Sequence, residues 1–192
     1  MTEKALVEWA VAQLSDPKLA APAAAFPRDR REVDGPGLYS WWADEGGRAI
    51  LGAPLGTVLP PLIYAGQSGA TTRRARVERV ATLGSRIRTN HLGGNVKSST
   101  FRKTLTSLLR DQLGLELVAP DRLDEASNRA VTVWIRQHLS VATVRVDDRA
   151  ELIDLEEAVL ARLDPPLNLM GMPTTPTRRR LTTLRRGLGQ VP

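Results

Sequence analysis

Several residue types are absent or rare in this chain of 192 residues, and each absence excludes a class of protein. There is no cysteine, which excludes disulfide bonds and thiolate metal ligands. No apolar run reaches about 18 residues, so we expect no transmembrane helix. The first residues lack the basic and apolar regions of a secretory signal. We therefore expect a cytoplasmic protein with one main domain.

Lysine is also rare, whereas arginine is abundant. The chain carries 27 Lys and Arg against 21 Asp and Glu, for a net charge of +6. Arginine binds phosphate oxygens through a planar fork of donors. The basic excess is clustered at four places: Arg73, Arg74, Arg76 and Arg79; Arg86 and Arg88; Lys97, Arg102 and Lys103; and Arg178, Arg179, Arg180, Arg185 and Arg186. Such clustering is typical of a nucleic-acid partner, although a solvated arginine-rich face would look the same.

Tyrosine occurs only twice, and both residues stand in similar surroundings. Tyr39 lies in Gly-Leu-Tyr, and Tyr64 lies in Ile-Tyr-Ala-Gly. Each belongs to a short apolar run that predicts a strand beside a glycine. Tyrosines are common in half-buried strands for packing reasons alone. Because the two phenols are so scarce here, their similar placement indicates a functional site.

The spacing of apolar residues predicts a small α+β domain. Strands are predicted at 38–42, 57–65, 115–118 and 141–146, with a turn at 44–47. Helices are predicted at 3–15, 85–91, from Ser99 or Thr100 onward, around 130–135 and at 150–163. The pattern divides the chain into an N-terminal helical arm and linker (1–35), a central domain (36–172) and a basic tail (173–192). Apolar residues at 181, 184 and 188 predict that this tail docks as a helix.

Glu156 is the clearest single candidate on physical grounds. On the predicted 150–163 helix it falls close to the middle of an apolar stripe. A carboxylate is expensive to bury unless a cation, a metal or hydrogen-bond donors satisfy it. The position therefore predicts either a functional site or a structural ion pair with a core arginine.

These features together resemble the GIY-YIG endonuclease superfamily over roughly residues 36–170. Gly37-Leu38-Tyr39 is similar to its first motif, and Tyr64-Ala65-Gly66 to its second. The segment 86–91 resembles the helix that carries the family arginine and histidine, here Arg86 and His91. Glu156 matches the metal-binding glutamate, and Asn168 the asparagine near the end of the domain. The resemblance implies a GIY-YIG nuclease-like sheet, mixed or antiparallel, flanked by helices.

The resemblance also implies a reaction, the hydrolysis of phosphodiester bonds in DNA with Mg²⁺ or Mn²⁺ bound through Glu156. Arg86 would neutralise the scissile phosphate, and Asn168 would orient the site. Either Tyr64 or His91 would deprotonate the water, with Tyr39 bonding to the phosphate or to the base. Further DNA contacts are expected from a basic and polar set: Arg88, Lys97, Ser99, Arg102 and Lys103.

One departure from the family pattern leaves two candidates for the catalytic arginine, Arg86 and Arg88. Arg86 and His91 are five residues apart, which places them about 140° apart on a regular helix. They share a site only if the helix ends or distorts near Asn90. Arg88 and His91 would share a face without distortion. Family register therefore favours Arg86, and regular helix geometry favours Arg88.

Three function classes follow from the sequence. The first is a DNA endonuclease of restriction, defence, repair, recombination or mobile-element type, which would cut both strands either as a homodimer on DNA or by turning over twice. The second is a nucleic-acid-binding module that keeps the fold without catalysis. The third is an interaction domain whose charge only keeps it in solution. RNA stays open as a substrate, and specificity would come from the arm, the tail or the 67–83 insertion.

Overall fold

A computed structural model describes residues 2–70 and 81–190 of the chain. Its helices and strands follow in chain order: α1 (Glu3–Ser15), β1 (Ala21–Pro22), β2 (Gly37–Ala43), α2 (Glu45–Gly52), β3 (Leu62–Ser68), a π-helical segment (Ser85–Leu92), α3 (Thr100–Leu113), β4 (Leu117–Ala119), β5 (Arg122–Leu123), α4 (Glu125–His138), β6 (Leu139–Arg145), α5 (Leu152–Leu163) and α6 (Pro176–Gly187). Short 3₁₀ turns join several of them. The predicted α+β class is confirmed.

The main sheet has four antiparallel strands in the order β1-β6-β2-β3. Strand β2 is central, and its Tyr39 pairs with Gly66 while its Trp41 pairs with Tyr64. Directly paired residues of antiparallel strands lie on the same face of the sheet. Tyr39, Trp41 and Tyr64 therefore share one face, which is where the larger core cluster lies.

Helices cover both faces of this sheet. The tyrosine face packs against the π-helical segment, α3 and α4, with Trp41 stacked on Phe101 at 4.7 Å between ring centroids. The opposite face carries Leu38 and packs against α1 and α5. Helix α1 is anchored there by the Ser40 hydroxyl, which donates to the Leu14 carbonyl at 2.8 Å. The site is thus held between two apolar layers.

Two predicted elements differ from the structure. The predicted turn at 44–47 is wrong, because Asp44 caps α2 by accepting a hydrogen bond from the Gly47 N–H at 2.6 Å. The predicted 57–65 strand begins only at Leu62, after the two prolines, which cannot donate to a ladder. The strand predicted at 115–118 lies at Leu117–Ala119 and pairs only with β5.

The predicted docked helix at the C-terminus is confirmed as α6, which packs against α3 and buries Leu181. The domain limits at 35 and 172 stay predictions. The basic run Arg73, Arg74, Arg76 and Arg79 lies outside the described residues, as does most of the 67–83 insertion. Within the described ranges, no helix is long and apolar enough to cross a membrane.

Candidate active site

The two tyrosines meet at one end of the β2–β3 pair. Tyr39 is buried, and its ring lies over the backbone of Gly66 on the neighbouring strand. A Cβ added at Gly66 would lie 2.8 Å from the Tyr39 hydroxyl oxygen. The absence of a side chain at position 66 is therefore what makes room for the phenol. Tyr64 lies on the same face, and its hydroxyl lies 3.2 Å from the Thr100 hydroxyl.

Arg86 and His91 come to this face through an unusual helix. The backbone of Ser85–Leu92 is π-helical, and the Gly93 N–H donates to the Arg88 carbonyl, five residues back, at 2.8 Å. Residues five apart lie on the same side of a π-helix. Such helices are uncommon and are often found at functional sites. Both Arg86 and His91 therefore contact Tyr39, whereas Arg88 is exposed to solvent.

His91 is fully buried, and both of its ring nitrogens are engaged. Nε2 lies 2.8 Å from the Tyr39 hydroxyl, and Nδ1 lies 2.8 Å from the Ser99 hydroxyl. Burial lowers the pKa of His91 well below its ordinary value, and the nearby charges of Arg86 and Arg102 lower it further. The ring is therefore neutral at pH 7. One nitrogen donates and the other accepts, and the tautomer decides which.

The first turn of α3 fixes His91 and corrects two predictions. Ser99 and Arg102 were predicted to contact DNA, yet both are buried. The Ser99 hydroxyl caps α3 by accepting from the Arg102 N–H at 3.1 Å, while it also bonds to His91. The Arg102 guanidinium donates to the carbonyl oxygens of His91 and Leu92, which end the π-helical segment. Neither side chain reaches a bound nucleic acid.

Glu156 projects from α5 toward the Gly66 end of β3. Leu155 and Val159 bury the helix against the sheet, and Glu156 itself is half-buried beside Tyr39 and Gly66. Burial raises the pKa of its carboxyl group to about 7, although Arg86 and the Gln67 N–H both oppose that rise. The carboxylate is thus short of positive partners at neutral pH.

The segment that contains Asn168 pairs with the outer edge of β3 at Ile63 and Ala65. The Leu167 N–H donates to the Ile63 carbonyl at 3.0 Å. The Asn168 side chain then pairs with Ala65 twice, accepting from its N–H at 3.0 Å and donating to its carbonyl at 2.8 Å. Asn168 therefore positions the strand between Tyr64 and Gly66 rather than contacting a substrate.

Two further contributors escape sequence reasoning. Thr100 supplies the hydroxyl beside Tyr64, yet as the first residue of a helix it carries no recognisable signal. Arg178 of α6 is buried and donates to three backbone carbonyls, those of Pro165, Asn168 and Pro173. It also forms an ion pair with Asp164 at 2.6 Å. It had been read only as part of a basic cluster, since nothing in the sequence marks one arginine of a run as buried.

The remaining predicted cations lie at the surface. Arg88 and Lys97 are exposed, and Lys103 pairs with Asp121 beside Thr100. Their contacts with DNA stay predictions.

The assembled cluster has a definite chemical character. Burial of the Arg86 guanidinium lowers its pKa, but Tyr39, Tyr64 and Glu156 outweigh that effect and keep the group charged. Its Nε is buried without a hydrogen-bond partner among the described residues. One cation, one underpaired carboxylate and two phenols therefore lie close enough to interact electrostatically. Such a set can bind a phosphate and exchange a proton with it or with water.

A divalent cation fits this donor set. In the described ranges no group of three or more His, Asp or Glu side chains could hold a metal by itself. Mg²⁺ needs only one or two protein carboxylates, because it keeps several waters and takes phosphate oxygens as ligands. The underpaired Glu156 meets that requirement.

Comparison with known proteins gives one match. The family model described as the GIY-YIG catalytic domain matches residues 37–187. Neither the curated proteins nor the solved structures include a match to this chain. The matched segment runs from the first residue of β2 to the last residue of α6, so it contains every side chain of the cluster.

Proposed function

Because the chain belongs to the GIY-YIG family, whose catalytic domain is of nuclease type, we propose that it is a metal-dependent endonuclease that hydrolyses DNA. The observation that supports this best is the electrostatic coupling of Arg86 to Glu156, Tyr39 and Tyr64. Phosphodiester hydrolysis needs neutralisation of the charge on the phosphoryl group, an activated water and help for the leaving oxygen. This cluster contains a group for each need.

Glu156 would hold the divalent cation, Mg²⁺ or Mn²⁺. The bound cation would supply charge stabilisation for the leaving 3′ oxygen. Arg86 would bind a non-bridging oxygen of the scissile phosphate through its guanidinium, whose positive charge would offset the charge of the phosphate.

The proton of the attacking water has two candidate acceptors, and their access differs. His91 does not reach water, because its two nitrogens bond to Tyr39 and Ser99. It acts as the base only through Tyr39. As the water gives a proton to the Tyr39 oxygen, the Tyr39 proton passes to His91 Nε2, and Ser99 accepts from Nδ1–H. Tyr64, beside Thr100, is the alternative acceptor. We propose the Tyr39–His91 route because its hydrogen bonds are already in place.

The test is cleavage of supercoiled plasmid and of single-stranded DNA with Mg²⁺ or Mn²⁺. Wild type is expected to cut, and Glu156→Ala is expected to bind DNA without cutting. Glu157→Ala, an exposed neighbour on the same helix, is the matched control and keeps activity. EDTA removes cleavage by wild type. Binding without any cutting by wild type would instead support the non-catalytic module. Equal cutting by wild type and Glu156→Ala would contradict the metal site.

A restriction, defence or repair role is part of the same proposal. A single site cuts one strand, so a concerted double-strand break requires a homodimer on DNA. Gel filtration with and without DNA tests this, since a strict monomer that still makes concerted breaks would contradict dimerisation.

A further inference from the structure

A groove leads away from the candidate active site along α6. It begins at Tyr64, Thr100 and Lys103, and it holds about 540 Å³. A second hollow of about 420 Å³ continues it and shares Leu169, Thr182 and Arg186 with the first. The two together form a track from the catalytic cluster to the middle of α6.

The floor of this groove is apolar and partly uncovered. It is formed by Leu167, Leu169 and Met170. Met170 is 92% exposed, at the tip of a turn closed by the Met172 N–H and the Leu169 carbonyl at 3.3 Å. Gly171 supplies the left-handed backbone that this turn requires, with φ 73°. The fold therefore presents a large apolar side chain to solvent at the groove, where a ligand in the groove can contact it.

The rim of the groove is cationic. Arg178 and Arg180 of α6 donate to carbonyl oxygens of the protein. Arg185 and Arg186 line the groove instead, and neither forms an ion pair or side-chain hydrogen bond with another described residue. Lys103 pairs with Asp121, whose negative charge also acts on Arg185 without an ion pair between the two. The free positive charge at this rim thus comes from two adjacent arginines, which are suited to phosphate.

An apolar floor under a cationic rim fits an unpaired nucleotide better than a duplex. In a duplex the faces of the bases stack on one another and cannot contact protein, whereas an unpaired base exposes its face. The volume is also in the range of pockets that hold a small ligand. We propose that this groove binds an unpaired nucleotide of the DNA strand next to the scissile phosphate. The base packs on Leu169 and Met170, and its phosphate binds Arg185 and Arg186. This rests on the proposed nuclease function.

The test measures DNA binding by fluorescence anisotropy in EDTA, where no cleavage occurs. The probes are a blunt duplex, the same duplex with a 3′ or a 5′ single-stranded extension, and each extension with abasic sites. Wild type binds one extended duplex more tightly than the blunt one, and the abasic sites remove that preference. Met170→Ala weakens binding of the extended duplex about five- to tenfold and leaves the blunt duplex unchanged. Val133→Ala, another exposed apolar side chain, which does not line the groove, changes neither.

The contribution of Arg185 and Arg186 is measured by the salt dependence of DNA binding. Arg185→Gln or Arg186→Gln lowers the salt dependence of binding to the extended duplex by about 0.7 in log–log slope, as expected for one lost phosphate contact with a single strand. Arg162→Gln, an exposed arginine of α5, does not. The proposal is wrong if wild type binds blunt and extended duplexes with equal affinity. It is also wrong if Met170→Ala prefers the extended duplex as strongly as wild type does. Loss of cleavage activity alone does not contradict it, because this assay is run without metal and separates the groove from the nuclease proposal.

Discussion

At the scale of single residues, the buried carboxylate of Glu156 lowers the stability of the folded protein when no cation is bound to it. Its carboxyl group has a pKa of about 7 in the folded protein against an ordinary value of 4.5. The folded state therefore favours the protonated form. As pH rises from about 4.5 to 7, the unfolded chain releases this proton while the folded protein keeps it. Stability is lost over that window and is lowest, as far as this group is concerned, above pH 7.

We predict that Glu156→Gln stabilises the metal-free protein at pH 8 but not at pH 4. The gain should be about 1–3 kcal/mol in the free energy of unfolding, since one pKa unit corresponds to about 1.4 kcal/mol and the group is partly solvated. Urea denaturation in EDTA at both pH values measures it. Added Mg²⁺ should then stabilise wild type at pH 8 and leave the variant unchanged.

Glu157→Gln is the matched control for this experiment, because Glu157 is exposed on the same helix turn. It should show no such pH-dependent gain. If Glu156→Gln destabilised the protein equally at both pH values, the carboxylate would be a structural acceptor and not a site held ready for a cation.

At the scale of elements, the π-helical segment is the part of this site that the sequence does not predict. The two tyrosines, Glu156 and the α+β class follow from scarcity and periodicity. The position of Arg86 does not, because a regular helix would turn it away from His91. The π-helix is stabilised from outside, by α3 donors that reach its last carbonyls. A contact between two different elements leaves no periodic signal in the sequence of either one.

Arg102 is the side chain that makes this connection. Its guanidinium donates five hydrogen bonds, to the carbonyls of His91, Leu92 and Asn128 and to the side chains of Thr132 and Asn128. Burial lowers its pKa to about 10, so it stays charged at pH 7. Sequence reasoning treated this arginine as a DNA contact because clustering in sequence does not distinguish a buried cation from an exposed one.

We predict that Arg102→Gln lowers the free energy of unfolding by about 3–5 kcal/mol, because it removes the five hydrogen bonds of a buried, charged guanidinium. Chemical denaturation measures this loss. Arg129→Gln, which removes an exposed pair with Glu125, should cost less than about 1 kcal/mol. A variant of Arg102 with wild-type stability and a smaller salt dependence of DNA binding would restore the original surface role.

At the scale of the whole molecule, the C-terminal residues belong to the same folding unit as the site. Leu181 and Leu188 are buried in the core, and Leu181 belongs to the cluster that contains both tyrosines. Arg178 fixes the loop that carries Asn168, and Asn168 in turn fixes the edge of β3. The groove proposed for an unpaired nucleotide therefore has a wall that is also a structural support of the catalytic strands.

We predict that a chain ending at Met172 loses at least about 3–6 kcal/mol of stability, the amount expected from losing the burial of two leucines. Its urea transition should become broad or vanish. The matched control is the full chain with Arg179→Gln and Arg186→Gln, which removes two exposed charges and should keep the wild-type transition while binding DNA more weakly. The two variants separate charge from packing. If the shortened chain unfolded with the wild-type midpoint and slope, these residues would act only as a basic tail, and the support of Asn168 by Arg178 would have no energetic weight.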